Sequence, residues 1–146
     1  FVSTFKTTIR TIQYVDSNVD YDGFCEYTKA NEKQRATASF LVTLMMRNVL
    51  TLSEIIEIIV FFQTTVTEYI TQENRTNEVD EITELLFLFI TLGKSALEPT
   101  PEWKETVLPF VSQMNQYKIK ECKGLSSRSL FKYKDIYKLT QPHTEK

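Results

Sequence analysis

The sequence predicts an all-α fold of stacked antiparallel helical hairpins, and three observations support this prediction. Apolar residues recur at spacings of three and four along most of the chain, which places them on one face of a helix. Only 3 Gly and 4 Pro occur among 146 residues, which is few for a fold built from sheets and turns. Residues that favour helix starts stand immediately before several of the apolar segments.

The first third of the chain has the least regular pattern. Residues 1–15 suit a helix, but their Thr and Val content also suits a strand. Residues 16–33 have no clear period, so we expect a loop there with at most a short helical turn. Residues 35–50 predict a helix. The apolar stripe of that helix consists of Phe40, Leu41, Leu44 and Met45.

The middle of the chain predicts two clearly marked helices. The first covers 51–70 and begins with a capping box formed by Thr51 and Glu54. The second covers 78–92, and we expect Asn77 to cap it and Gly93 to end it in a left-handed turn. The two apolar stripes are Leu52, Ile55, Ile56, Ile59, Phe62, Val66 and Tyr69 in the first helix, and Val79, Ile82, Leu85, Leu86 and Phe89 in the second.

A connector over 95–101 leads to the next predicted helix. Thr100 and Pro101 are expected to be its N-cap and first helical residue. Pro109 lies inside the helix, so a kink or a break is expected there. The apolar stripe of this helix is Trp103, Val107, Phe110, Val111, Met114 and Tyr117.

The predicted helix lengths suggest how these elements are organised. A consecutive pair, such as 35–50 with 51–73 or 78–92 with 101–119, spans roughly 40 residues, which is the period of HEAT-type helical hairpins. No repeated sequence motif accompanies that period, so a closed helical bundle remains open as the alternative architecture.

Charged residues divide the chain into an acidic and a basic part. Residues 1–116 contain 9 Lys or Arg against 16 Asp or Glu, whereas residues 117–146 contain 8 against 3. This division suggests two surfaces that meet different kinds of neighbour. The longest apolar runs, 58–62 and 85–92, are far shorter than the roughly 18 residues that a membrane span needs.

No combination of side chains in the sequence suggests catalysis. His143 is the sole histidine, and the sequence has no glycine-rich phosphate loop and no metal-ligand spacing. The carboxylates are interpreted as acidic first turns that favour the helix dipole. We therefore expect a protein that is not an enzyme and has no cofactor, no metal and no small-molecule substrate. The carboxylates concerned are Glu54, Glu57, Glu78, Asp80, Glu81 and Glu84.

The last helix, predicted over 127–139, has two apolar faces. Ser126 is its expected N-cap. Phe131 lies among charged residues on the face opposite the main apolar stripe, as an interaction hot spot does. A terminal helix that packs between two other helices would show the same pattern, and a helix that binds nucleic acid is a third possibility. The main stripe consists of Leu130, Tyr133, Ile136 and Tyr137.

Three segments, 36–62, 78–98 and 110–139, together resemble the later helices of the middle domain of translation initiation factor 4G. The most specific motif is Ser-Ser-Arg-x-x-Phe-x-x-x-Asp in the last segment. A weaker resemblance extends to residues 5–13. The matching positions are Phe40, Leu44, Leu50, Thr51, Thr91, Gly93, Lys94, Met114, Ser126, Ser127, Arg128, Phe131, Asp135, Ile136 and Leu139.

The resemblance implies a HEAT-type domain of about three repeats over 1–140, followed by a disordered tail over 141–146. It implies a cytoplasmic, non-enzymatic scaffold that binds a DEAD-box RNA helicase similar to initiation factor 4A, and also RNA or other initiation factors. Related scaffolds in mRNA decay or cap binding, and an RNA-binding helical module, remain alternatives. The helicase-binding residues carried over are Arg128, Phe131, Lys132 and Asp135. The possible basic RNA-binding rim is Lys118, Lys120, Lys123, Lys134 and Lys138.

Overall fold

Five α-helices make up most of the part of the chain that the computed structural model describes, residues 15–117 and 122–140. No strand occurs within those two ranges, so the prediction of an all-α fold is confirmed. The predictions for residues 1–14, for Lys118 and Lys120, and for the tail over 141–146 lie outside the described residues. The helices are α1 (Tyr21–Met46), α2 (Leu52–Tyr69), α3 (Thr76–Leu97), α4 (Leu108–Gln116) and α5 (Ser127–Thr140).

Helix α3 is at the centre of the fold. It packs against α1, α2 and α5, so that α1, α3 and α5 form a row. Among consecutive helices in the described ranges, α2 packs closely on α3 and α4 packs closely on α5, whereas the contact between α1 and α2 is smaller. The helix lengths predicted that α1 pairs with α2 and that α3 pairs with α4. The close pairs are instead α2 with α3 and α4 with α5.

The expected loop over 16–33 is wrong, because α1 begins at Tyr21. Asp20 caps the helix by accepting a hydrogen bond from the Gly23 amide at 3.0 Å. The period was hidden because polar residues, Asn31 and Gln34, occupy buried positions of α1. The predicted stripe of this helix is also partly wrong. The face that packs on α3 is centred on Ala38, Leu41 and Val42, and Phe40 is 52% exposed.

The start of α2 follows the prediction. The Thr51 hydroxyl accepts from the Glu54 amide at 3.1 Å, and Glu54 accepts from the Thr51 amide at 2.9 Å, which completes the capping box. These hydrogen bonds lower the pKa of Glu54, because both the Thr51 amide and its hydroxyl stabilise the carboxylate.

Both predicted ends of α3 are wrong. A 3₁₀ turn over Glu73–Arg75 leads directly into the helix at Thr76, so Asn77 lies in the first turn rather than at the cap. The helix continues through Gly93 to Leu97, and Gly93 is buried without a positive φ. The four residues after Gly93 are compatible with a helix, and the first proline after them is Pro99.

The irregularity expected near Pro109 is a π-helical turn over Trp103–Val107 that leads into α4. The Leu108 amide donates to the Trp103 carbonyl, five residues earlier. Pro109 has no amide hydrogen for a regular helical bond, which accounts for an irregular turn at this point. The Thr100 hydroxyl accepts from the Trp103 amide at 3.3 Å, in agreement with its predicted capping role.

Aromatic pairs connect the helices in the core. Phe62 of α2 and Phe89 of α3 meet edge to face with ring centroids 5.9 Å apart. Phe110 of α4 and Tyr133 of α5 meet in the same way at 5.9 Å. Such pairs contribute about 0.5–1.5 kcal/mol beyond the burial of their area. Most of the buried apolar residues belong to the stripes that the sequence predicted for α2, α3 and α4.

Candidate functional site

A close backbone contact places the start of α5 against the end of α2. The Gly124 amide donates to the Ile70 carbonyl at 2.7 Å. A Cβ atom at position 124 would overlap the carbonyl oxygen of Tyr69, so only glycine allows this approach. Beside it, the Lys123 ammonium lies 3.4 Å from the Glu73 carboxylate, and both side chains are largely exposed.

A partly buried hydrogen-bond cluster joins α5 to α3. The Ser126 and Ser129 hydroxyls both donate to the Asp80 carboxylate, each at 2.5 Å. Ser126 also accepts from the Ser129 amide at 3.1 Å, which confirms its predicted role as N-cap. The sequence interpretation assigned Asp80 only to the helix dipole, whereas in the structure its carboxylate fixes where α5 begins.

The inner face of α5 packs on the rest of the protein as predicted. Tyr133 and Ile136 are fully buried, and Leu130 and Tyr137 are partly buried. The Thr83 hydroxyl donates to the Tyr133 hydroxyl at 3.1 Å. Burial raises the pKa of Tyr133 far above its usual value, and the hydrogen bond from Thr83 opposes only part of that effect.

The outer face of α5 is exposed and contains most of the predicted site residues. Phe131 is 65% exposed, so the prediction that its ring points away from the packing face is confirmed. Leu139, which the sequence interpretation did not assign to the site, is also exposed and extends the apolar patch two turns along the helix. The outer face is defined here by Arg128, Phe131, Lys134, Asp135, Lys138 and Leu139.

Glu84 of α3 lies within ion-pair distance of two basic side chains that were predicted to bind the helicase, Arg128 and Lys132. The Arg128 guanidinium lies 3.7 Å and the Lys132 ammonium 3.5 Å from the Glu84 carboxylate. The Lys132 ammonium also lies 4.2 Å from the ring centroid of Phe87, and its side chain is only 24% exposed. Lys132 therefore flanks the outer face and contacts α3, whereas Arg128 remains largely exposed.

Sequence reasoning missed Glu84 and Phe87 as partners of α5. They lie three positions apart on α3, so they share a helical face, and this spacing was the available signal in the sequence. The partner that they meet depends on how α5 packs, which no local pattern contains. The two predicted rim residues Lys134 and Lys138 are exposed on the outer face, whereas Lys123 lies in the turn before α5.

A second polar contact joins α3 to α1. The Arg35 guanidinium donates to both oxygens of the Glu81 carboxylate, at 2.6 and 2.7 Å. Glu81 is buried, and its hydrogen bonds raise the pKa of Arg35 above its usual value. The Asp80 and Glu84 carboxylates therefore connect α3 to α5, and the Glu81 carboxylate connects α3 to α1.

The comparisons with known proteins add no family or structural relative. No family model, no curated protein and no solved structure matches the chain. None of the helices within residues 15–117 and 122–140 has both the length and the apolar content that a membrane span requires. The same ranges contain no group of three or more His, Cys, Asp or Glu side chains placed to hold a metal ion.

Proposed function

We propose that this chain is a non-enzymatic scaffold of translation initiation. It binds a DEAD-box RNA helicase similar to initiation factor 4A through the outer face of α5, and it helps to recruit the ribosome to mRNA in the cytoplasm. The proposal combines the sequence resemblance with one structural observation. Phe131 is exposed on a helix whose opposite face is fully buried, at Tyr133 and Ile136.

The outer face of α5 has the composition of a protein-binding surface. Phe131 offers a large apolar area, and Leu139 adds to it. Aromatic side chains surrounded by polar residues are typical of the few positions that supply most of the binding energy in an interface. Lys134 and Lys138 are exposed beside the ring and would increase the association rate with an acidic partner.

Rigid attachment makes α5 suitable as a docking element. Asp80 and Gly124 fix its start, and Tyr133 fixes its middle, so the outer face is presented without a large ordering cost on binding. A scaffold accelerates a helicase only by binding one arrangement of its two lobes better than another. This face would supply the contact with one helicase lobe, and selection of a lobe arrangement requires a second contact with the other lobe.

The helix arrangement supports the finer fold proposal, a HEAT-type solenoid of about three repeats. Helices α1, α3 and α5 form a row, while α2 contacts α3 and the π turn that precedes α4. Stacked helical hairpins have this alternation, because equivalent helices of successive repeats lie side by side. A closed bundle around α3 is the competing description.

The exposed lysines favour a second candidate function, an RNA-binding helical module. Lys123, Lys134 and Lys138 are all exposed and could contact phosphates. The affinity of a surface that binds nucleic acid falls steeply as the salt concentration rises. The affinity of a protein interface centred on Phe131 falls only modestly over the same range. A titration of binding against salt concentration therefore separates these two functions. A related scaffold in mRNA decay or cap binding would use the same face with another helicase.

Replacing Phe131 tests the proposal. We expect Phe131→Ala to weaken partner binding by about 2 kcal/mol or more, because the ring is the largest exposed apolar group on the outer face. The melting temperature should stay nearly unchanged, because the ring is mostly in solvent. The measurement is affinity capture of helicases from eukaryotic cytosol, followed by titration of the captured helicase against both chains.

Phe40→Ala is the matched control, because Phe40 is an exposed phenylalanine on α1. It should leave helicase capture intact. Equal capture by the Phe131→Ala chain and the unaltered chain would contradict the proposed surface. Recovery of a helicase from mRNA decay would transfer the function to that pathway, and recovery of no helicase would contradict the scaffold proposal.

A further inference from the structure

A groove of about 470 Å³ lies on the first half of α2, beside the π-helical turn over Trp103–Val107. Its floor is apolar, because Ile56 is partly buried there and Val60 is 37% exposed. Three carboxylates surround this floor, and within residues 15–117 and 122–140 no basic side chain lines the groove. The acidic groove is defined here by Ser53, Glu54, Ile56, Glu57, Val60 and Glu102.

The negative charge extends beyond the lining of the acidic groove. Helix α2 contains three glutamates but no lysine or arginine. Residues 98–105 add three carboxylates against Lys104 alone. Hydrogen bonds from Thr51 lower the pKa of Glu54, so this carboxylate is ionised at neutral pH. The acidic groove therefore attracts a basic surface and repels the phosphates of a nucleic acid.

The outer face of α5 has the opposite charge around an apolar part of its own. Lys134 and Lys138 are exposed on it, and within the described ranges neither forms an ion pair. Phe131 and Leu139 are its exposed apolar side chains. The whole face has three basic side chains and one acidic side chain. It is therefore complementary to the acidic groove in charge, and both surfaces offer apolar area for contact.

The two surfaces also match in length. A helix rises about 1.5 Å per residue, so the distance along α2 from Ser53 to Val60 is about 10 Å, and the distance along α5 from Phe131 to Leu139 is about 12 Å. Both helices are fixed within the fold, α2 by its packing on α3 and α5 by the hydrogen bonds to Asp80. Neither helix has to be ordered when the two surfaces meet, which lowers the cost of association.

We propose that the acidic groove of one molecule binds the outer face of α5 of a second molecule of this chain. The Phe131 ring covers the apolar floor of the groove, and the lysines of α5 lie beside the carboxylates around it. Each molecule has both surfaces, so the contact is head to tail. This self-association goes beyond the proposed function, and its one link to that function is that it covers the face proposed to bind the helicase.

Sedimentation velocity of the purified chain tests this contact without any partner protein. We expect association that increases with protein concentration at low ionic strength and decreases when salt is added, because salt screens exposed charges. The double substitution Glu57→Lys with Glu102→Lys reverses the charge of the groove. It should lower the association constant at least about tenfold, because like charges then face each other. Lys134→Glu with Lys138→Glu reverses the helix face and should have the same effect.

A mixture of the two reversed chains gives the most specific test. Each reversed chain keeps one of the two surfaces intact, so the mixture should associate although neither chain does so alone. The matched control is Glu26→Lys with Glu32→Lys, which changes the net charge as much as the groove reversal does. These glutamates are exposed on α1 and do not line the groove, so the control chain should associate as the unaltered chain does.

Three results would overturn the head-to-tail contact. They are a chain that stays monomeric at low ionic strength, association that persists after reversal of either surface, and a mixture of reversed chains that does not associate. A monomeric chain that binds a basic peptide would assign the acidic groove to another protein instead. All the substituted side chains are exposed, and circular dichroism checks that each chain is folded.

The contact and the proposed function fail separately. The chain with the reversed groove keeps the outer face of α5, so it should capture the helicase at least as well as the unaltered chain does. Failure of helicase capture would leave the sedimentation result standing. A monomeric unaltered chain would leave the Phe131→Ala test of helicase capture standing.

Discussion

The two halves of α3 hold their neighbours by different physical means. The first half uses carboxylates in addition to its buried apolar residues, with Asp80 accepting from two serines, Glu81 paired with Arg35, and Glu84 close to Arg128 and Lys132. Those apolar residues are Val79, Ile82, Leu85 and Leu86. The second half uses apolar contact. Its buried residues are Phe89, Ile90, Gly93 and Leu97.

The apolar residues and the carboxylates of α3 contribute differently to the stability of the fold and to the positions of the neighbouring helices. Apolar contacts have no preferred direction, so the buried apolar face that runs along both halves of α3 supplies stability and tolerates small adjustments. Hydrogen bonds to a carboxylate require particular distances and angles, so the first half specifies where α1 and α5 lie. The candidate interaction surface on α5 adjoins the first half of α3, and its position depends on these polar contacts.

The largest expected effect is at Phe89. Phe89→Ala should lower the free energy of unfolding by about 3–5 kcal/mol, because it removes a fully buried ring that packs on Phe62. Urea unfolding followed by circular dichroism measures this loss. Leu92→Ala in the same helix is the control, because Leu92 is exposed and should change stability by less than about 0.5 kcal/mol. A small loss at Phe89 would show that the apolar contact between α3 and α2 is not a main source of stability.

An intermediate effect is expected at the junction of α3 and α5. Asp80→Ala should cost about 2–3 kcal/mol, because it removes a charged acceptor from two hydroxyls and leaves Ser129, which is 1% exposed, without it. The same unfolding assay measures the loss. The control is Asp135→Ala, because this carboxylate is exposed on α5 and should be nearly neutral for stability.

A double-mutant cycle of Asp80→Ala with Ser129→Ala gives a further check. The two losses should not add, because both substitutions remove the same hydrogen bond. If the losses add fully, Asp80 stabilises the protein through some other contact and does not fix the start of α5.

The smallest expected effect is at Gly93. Gly93→Ala should change stability by about 1 kcal/mol or less in either direction. Alanine favours the helix, but the new Cβ would lie 3.3 Å from Leu97 Cδ1 and 3.4 Å from Met45 Cε, the ends of two flexible side chains. Gly124→Ala is the contrasting substitution. Its Cβ would meet backbone oxygens that cannot move aside, so its loss of stability should be much larger.

Equal losses at the two glycines, measured by the same denaturant assay, would contradict this distinction. They would show that α3 and α1 approach as closely at Gly93 as α5 and α2 do at Gly124.

Much of the fold could be predicted because it depends on local patterns. The apolar stripes of α2 and α3, the capping box at Thr51 and the N-cap at Ser126 all depend on residues within one or two turns. The start of α1 could not be predicted in this way. Asn31 and Gln34 occupy buried positions of that helix, so its apolar period is interrupted where the polar contacts between helices form.

The candidate site was predictable in part for the same reason. The helical period placed Phe131 opposite the packing face, and its exposure in the structure agrees. The period could not indicate that Lys132 would turn towards Glu84 and Phe87, nor that Leu139 would extend the exposed patch. Whether a partner uses this patch remains a prediction.

By itself the sequence determined that the chain is helical, where α2 and α5 begin, and which face of α5 contains Phe131. These properties follow from interactions between residues three or four positions apart. The tertiary structure alone decided that α3 is central, that α1 starts at Tyr21, and that Asp80, Glu81 and Glu84 join helices. The physical reason is distance along the chain: Asp80 and Ser126 are 46 residues apart, and only packing brings them together.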